Sequence, residues 1–197
     1  MPLTTAGKNN LISITSFTHA TAFQDLGVTE TTPVTRLATT WAAAASGARA
    51  ISAELSIAIA AGQTIQSVGV FDALTTGNSQ GFFQIGSALR GSASVTTADT
   101  FTSTAHGLAA DDRVFFATNG GDALPAGITA TTLYFVRATG ITADTFTVST
   151  TSGGSALDVT AAGECSWFVT VPQTFAIAGN LILPATTGIV IDANAFG

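Results

Sequence analysis

Charge is what this sequence has least of. Asp, Glu, Lys and Arg together make up 9% of its 197 residues, where soluble domains carry about 25%. Soluble monomers ordinarily keep roughly a quarter to a third of their surface charged. A chain this neutral and 46% apolar either hides much of its surface against neighbours or coats it with hydroxyls, and the abundance of Thr and Ala suits both. Twelve acidic residues against six basic ones give a formal net charge of −6, and the bases stand singly from Lys8 to Arg137. Nucleic-acid binding needs clustered cations, so no nucleic-acid partner is expected.

Cysteine is nearly missing too. Cys165 is alone, which excludes an intramolecular disulfide and with it a small secreted disulfide scaffold. None is needed, because a chain of this length buries roughly 70% of its unfolded surface. In "ECSW", beside Trp167, the thiol reads as a small core side chain. A nucleophile would need an activating base nearby, and the chain has two histidines. Long apolar runs are also wanting. The stretch "AAAASGARAISAELSIAIAAGQTI" is interrupted by Arg49 and Glu54, so no membrane span is expected. The opening "MPLTTAGKNNLISI" has no charged start, long apolar core or cleavage site of a signal peptide, which points to synthesis in a cytoplasm.

Chemical motifs are scarce. His106 in "STAHGLAADDR" has Asp111, Asp112 and Arg113 downstream, a grouping that could supply a metal ligand or a general base. His19 is far off in sequence, however, and no H-x-E or HExxH spacing exists. The arrangement reads as a strand end at His106-Gly107 followed by a turn at Asp111–Asp112. A calcium site needs six to eight oxygens, and no acidic loop is dense enough. "NGGDALPAG" and "TSGGSA" match no phosphate-binding loop, and "TGNSQG" no nucleophile elbow. Trp41 and Trp167 read as core anchors, with a sugar platform as the alternative. No catalytic, cofactor-binding or metal residues are therefore expected, no cofactor, and no enzymatic activity.

What is present is strand and turn. β-branched residues dominate, and Gly, Asn, Asp and Ser clusters recur every eight to twelve residues, the spacing of an all-β sandwich or barrel. "ELSIAIAAG" sets Leu55, Ile57 and Ile59 against Ser56 and Ala58, the period of a half-buried strand. "TIQSVGVFDA" is expected to repeat the alternation with Ile65, Ser67 or Val68, and Val70, and with "GNSQGFFQIGSAL" it follows closely enough to predict an antiparallel meander of three. The one predicted helix is N-terminal: Thr4 or Thr5 as cap, then Leu11, Ile12 and Ile14. The hexapeptide "TADTFT" occurs at Thr97–Thr102 and again at Thr142–Thr147. In each copy Ala-Asp supplies a turn and Thr-Phe-Thr starts a strand, so the phrase builds rather than catalyses. Six matching residues are too few for a tandem repeat.

From about Val95 to Phe168 the chain reads as a compact all-β unit, after which "WFVTVPQTFAIAGNLILPATTGIVID" resumes the earlier alternation. The predicted organisation is a β-sandwich-like outer domain, 1–94 with 169–197, carrying a small all-β domain, 95–168, in a loop. The strand at Gln80–Leu89 and the strand after Pro172 are expected to share one sheet.

"MPLTTAGKNN", "TTWAAAASGARAIS", "AGQTIQSVGVFDALTTG" and "QTFAIAGNLIL" resemble the small tail-fibre-like or minor tail proteins of tailed bacteriophages. "DTFTSTAHGLAADDRVFF", "LPAGITATTLYFVRAT" and "ADTFTVSTTSGGSALDVT" resemble a module common in phage structural proteins. Residues 16–40 fall outside the resemblance. It implies a non-enzymatic virion component made in the host bacterial cytoplasm, either an accessory surface protein of the tail or fibre or a head-decoration protein. Its expected partners are copies of itself, a trimer being one candidate, and other virion proteins. A host-surface glycan is a further candidate; no membrane partner is expected.

Overall fold

The computed structural model describes residues 17–27, 29–31, 33–34, 36–118 and 123–192, and the predicted N-terminal helix lies outside them. The protein is all-β: among the described residues every regular element is a strand. The chain runs β1 (His19–Phe23), β2 (Leu37–Ala38), β3 (Ala48–Ala50), β4 (Leu55–Ile59), β5 (Gln63–Ile65), β6 (Ser67–Phe71) and β7 (Ser79–Gln84). It continues through β8 (Arg90–Val95), β9 (Phe101–Thr102), β10 (Arg113–Thr118), β11 (Tyr134–Val136), β12 (Thr145–Phe146), β13 (Val148–Ser149) and β14 (Gly163–Thr170). It closes with β15 (Gln173–Phe175), β16 (Gly179–Leu183) and β17 (Val190–Asp192). Two compact units result: Met1–Phe83 with Gln173–Gly197, and Gln84–Pro172.

The borders differ from those the sequence suggests. β8 pairs along its whole length with the first six residues of β14, Arg90 opposite Phe168 and Val95 opposite Gly163. A cut at Val95 and Phe168 would therefore sever one ladder. The chain enters and leaves the second unit at one place, where the Val171 N–H donates to the Ile85 carbonyl at 2.9 Å.

In the first unit a four-stranded sheet runs in the order β2-β1-β6-β7. All five residues of β6 are buried, so "SVGVF" is covered on both faces and shows no alternation. Phe23 anchors this region, stacked on Phe71 with centroids 6.0 Å apart and edge-on to Phe82 at 5.5 Å. The Arg36 guanidinium lies 3.7 Å over the Phe71 ring, pairs with Glu30 at 2.6 Å and donates to the Ala73 carbonyl.

Of the three strands of the expected meander, β6 and β7 are neighbours in the four-stranded sheet, but β4 lies elsewhere. β4 pairs with β16, β5 with β15 and β3 with β17. These pairs form one long antiparallel ribbon. Ile65 lies opposite Gln173, and ten residues along on each strand Leu55 lies opposite Leu183, so the register is continuous. Beyond it, five steps back to Ala50 correspond to seven steps on to Val190, so two extra residues are accommodated on the C-terminal strand. The ribbon bends at Ala61–Gly62, where Gly62 has φ +81°, a value glycine adopts without steric cost. Leu55, Ile57 and Ile59 are buried while Ser56 and Ala58 are exposed, as the alternation predicts. The strand after Pro172 therefore joins the ribbon, while β7 lies beside β6 in the other sheet.

The second unit is one seven-stranded sheet in the order β12-β9-β8-β14-β10-β11-β13. Its first and last members are almost the same strand, since only Thr147 separates Phe146 from Val148. Thr145–Phe146 pair with β9, and Val148–Ser149 pair with β11. The two edges of the sheet thus meet on one segment and the sheet closes on itself, which removes free edges. Inside lie Phe101, Val114, Phe116, Tyr134, Phe146 and Trp167 among other buried apolar side chains. Fully burying a side chain of this size contributes about 1.5–3 kcal/mol.

Candidate functional site

The two TADTFT copies pair with each other. Phe101 lies opposite Phe146 and Thr102 opposite Thr145 in an antiparallel register. The two rings, both fully buried, stack at 5.1 Å with planes 14° apart. Phe116 extends the stack from Phe101 at 5.0 Å, and Trp167 meets Phe146 edge-on at 6.1 Å. Offset and edge-on aromatic pairs contribute about 0.5–1.5 kcal/mol beyond the area they bury.

The aspartates of the two copies do matching work that sequence reasoning missed. Asp99 Oδ1 accepts the Val159 N–H at 2.7 Å, and Asp144 Oδ1 accepts the Ala105 N–H at 2.8 Å. Each carboxylate holds a segment 60 or 39 residues away. The turns nevertheless differ. In the first, the Thr96 N–H donates to the Thr100 carbonyl and Asp99 takes φ 62°. In the second, the Thr142 N–H donates to the Thr145 carbonyl one residue sooner, with the Thr142 hydroxyl accepting from Asp144 and Thr145. The same six residues thus reach one pairing through two turns. The recurrence itself was the only available signal.

Thr147 holds the segment that closes the sheet. Its hydroxyl donates to the Thr139 carbonyl at 2.7 Å and accepts from Arg137 Nη1 at 3.3 Å. Arg137 Nε also donates to the Gly154 carbonyl at 3.0 Å.

His106 is buried beside this pairing. Its Nδ1 accepts the Leu108 N–H at 3.0 Å. That places the ring proton on Nε2, which donates to the Thr145 carbonyl at 3.2 Å, so one neutral tautomer satisfies both partners. The ring meets Phe146 edge-on at 5.2 Å. Asp111 adopts φ 68° in the turn before β10 and accepts the Ser152 hydroxyl at 2.7 Å. Asp112 Oδ2 accepts the Ala109 N–H at 2.8 Å. Arg113 lies 5.5 Å over the Phe135 ring. His106, Asp111 and Asp112 therefore fasten loops, while Arg113 covers a ring of the neighbouring strand. Among the described residues, no three His, Cys, Asp or Glu side chains are grouped to hold a metal.

The other candidates also have structural partners. His19, in the first unit, accepts from or donates to the Thr18 hydroxyl at 2.8 Å. Trp41 donates its indole N–H to the Phe17 carbonyl at 2.6 Å, leaving that donor occupied. Trp167 donates to the Ser103 hydroxyl at 3.1 Å within the closed sheet. Cys165 is fully buried, and burial, reinforced by the charge of Glu164, pushes its thiol up to about 12, far from the thiolate that nucleophilic chemistry needs.

Comparison of the chain with protein families, with curated proteins and with solved structures returned no match.

Proposed function

We propose that the protein is a non-enzymatic structural component of a tailed-bacteriophage particle, an accessory surface protein of the tail or fibre that works in multiple copies. One observation carries the reading: the side chains best suited to chemistry act as struts. His106, Asp99, Asp144 and Asp112 bond backbone groups, and Asp111 bonds a hydroxyl. Such a molecule contributes shape and surface. With so few charges to keep copies apart, its surface favours burial against neighbours. The phage context comes from the resemblance of the quoted segments to tail-fibre-like proteins. Imaging of purified particles decorated with gold-labelled antibody against this chain tests the proposal. Label on tail or fibre is expected. Label confined to the head would move the protein to the head-decoration reading, and particles without label would defeat both.

A further inference from the structure

TADTFT pairs with its own copy, and the rest of the second unit follows the same rule. Phe101 lies directly opposite Phe146, its counterpart in the hexapeptide. Two residues beyond Phe146, Val148 faces Val136; two beyond Phe101, the β8–β9 register reaches Ala93. Ala93 is therefore equivalent to Val136, and Gly91 to Tyr134. Gly91 lies opposite Trp167 and Tyr134 opposite Val114. Trp167 is then equivalent to Val114 and, one step on, Phe168 to Phe115. Phe115 and Phe168 also lie directly opposite each other. The hexapeptide does not impose that meeting; a two-fold axis through both phenylalanine pairs requires it. The strand order agrees: exchanging β8 with β11, β9 with β12–β13 and β10 with β14 returns the same closed order, read in reverse.

We propose that the second unit is a two-fold pair of equivalent halves, 90–118 and 133–171, each the partner of the other across an interface of the kind that joins identical subunits. The axis accounts for where identity survives. A residue on the axis faces its own equivalent, and both crossings are stacked phenylalanines, each pair 5.1 Å apart with planes at 14° and 16°. Away from the axis each residue faces a different one, and the halves differ in a compensating way. A Cβ on Gly91 would lie 2.7 Å from the Trp167 ring, so the large side chain there sits on β14. At the equivalent site the large side chain is Tyr134 on β11, and it faces the smaller Val114. The hexapeptide is thus the part of a longer structural repeat that kept its sequence. Six shared residues were too few to mark that repeat without the pairing.

Exchange of inward side chains in the full chain tests this. One variant exchanges those of β8 and β11 (Gly91→Tyr, Ala93→Val, Tyr134→Gly, Val136→Ala). Another exchanges those of β10 and β14 (Val114→Trp, Phe116→Val, Trp167→Val, Val169→Phe). Each alone sets Tyr against Trp at one site and Gly against Val at the other. Combined, they restore both pairings with the contents of the halves exchanged. The combined variant should unfold at a higher urea midpoint than either partial exchange, by about 1 M. A midpoint no higher than theirs would overturn the proposal. Should none of the three fold, spin-label distances decide, in Ser92→Cys/Val171→Cys and in Phe135→Cys/Thr118→Cys. The native thiol is buried and stays unlabelled. Ser92 lies opposite Ser166 and Phe135 opposite Arg113, so each labelled pair is offset five residues along adjacent strands, roughly 17 Å. The two distances should coincide, and separate distance distributions would overturn the equivalence. The particle assignment stands apart from either result.

Discussion

Replacing Phe146 by alanine should be among the most damaging single changes available to the second unit. The ring is fully buried, stacked on Phe101, edge-on to Trp167 and in contact with His106. Phe-to-Ala changes in such surroundings cost about 3–5 kcal/mol, transfer and cavity together. Phe101→Ala meets the same conditions from the other TADTFT copy and should cost a similar amount. Because the rings touch, the double variant should cost about 1 kcal/mol less than the sum of the singles. Thr102→Ala, at an exposed position of the same pairing, should cost under about 0.5 kcal/mol. Urea unfolding followed by the fluorescence of Trp167, in a Trp41→Phe background, reads this unit selectively. At a slope of about 1.5 kcal/mol/M, a 4 kcal/mol loss moves the midpoint by roughly 2.7 M. A loss below about 1.5 kcal/mol for Phe146→Ala, or strict additivity of the pair, would show that the two copies do not share one core contact.

Other outcomes follow from the same structure. A Cβ on Gly91 would lie 2.7 Å from the Trp167 ring, so Gly91→Ala should destabilise by about 1–3 kcal/mol, and an unchanged melting curve would contradict that packing. Cys165 should resist iodoacetamide until the protein unfolds. Because its thiol is raised from 9.0 to about 12 in the fold, its contribution to stability is intact below pH 9 and lost as pH rises towards 12; alkylation in the native state at pH 8 would refute the burial. Arg36→Ala removes an ion pair and a cation–π contact on Phe71 and should cost about 2 kcal/mol, whereas Arg113→Ala, on an exposed residue, should cost under about 1 kcal/mol in the same denaturation assay. Residues 84–172 expressed alone should melt cooperatively, because Ile85 and Val171 tie their ends together; a non-cooperative transition would mean that the second unit depends on the first.

The legible parts of this fold were the local ones. The alternation at Leu55, Ile57 and Ile59 identifies a strand and its buried face, because period two is a property of the segment itself. β6 hides its period because both its faces are covered. The ribbon partners are invisible in sequence: 55–65 and 173–183 carry no charge pattern to mark a match, and the whole second unit lies between them. Turn chemistry identified Asp99 and Asp144 as turn residues, but their bonds to Val159 and Ala105 reach across the fold. His106 could be read as a ligand or a strut from sequence, and the backbone groups of Leu108 and Thr145 decide between them. The hexapeptide drew attention through repetition, which signals one local recipe and carries no information about which strand pairs with which.

The most direct test of the central claim is stoichiometric rebinding. Particles lacking this protein are titrated with purified chain, and the bound copies per particle are counted by quantitative mass spectrometry after sedimentation. The account predicts saturable binding at a fixed number of copies, a multiple set by the symmetry of the structure it decorates. Failure to bind, or uptake that rises with concentration and never saturates, would contradict it.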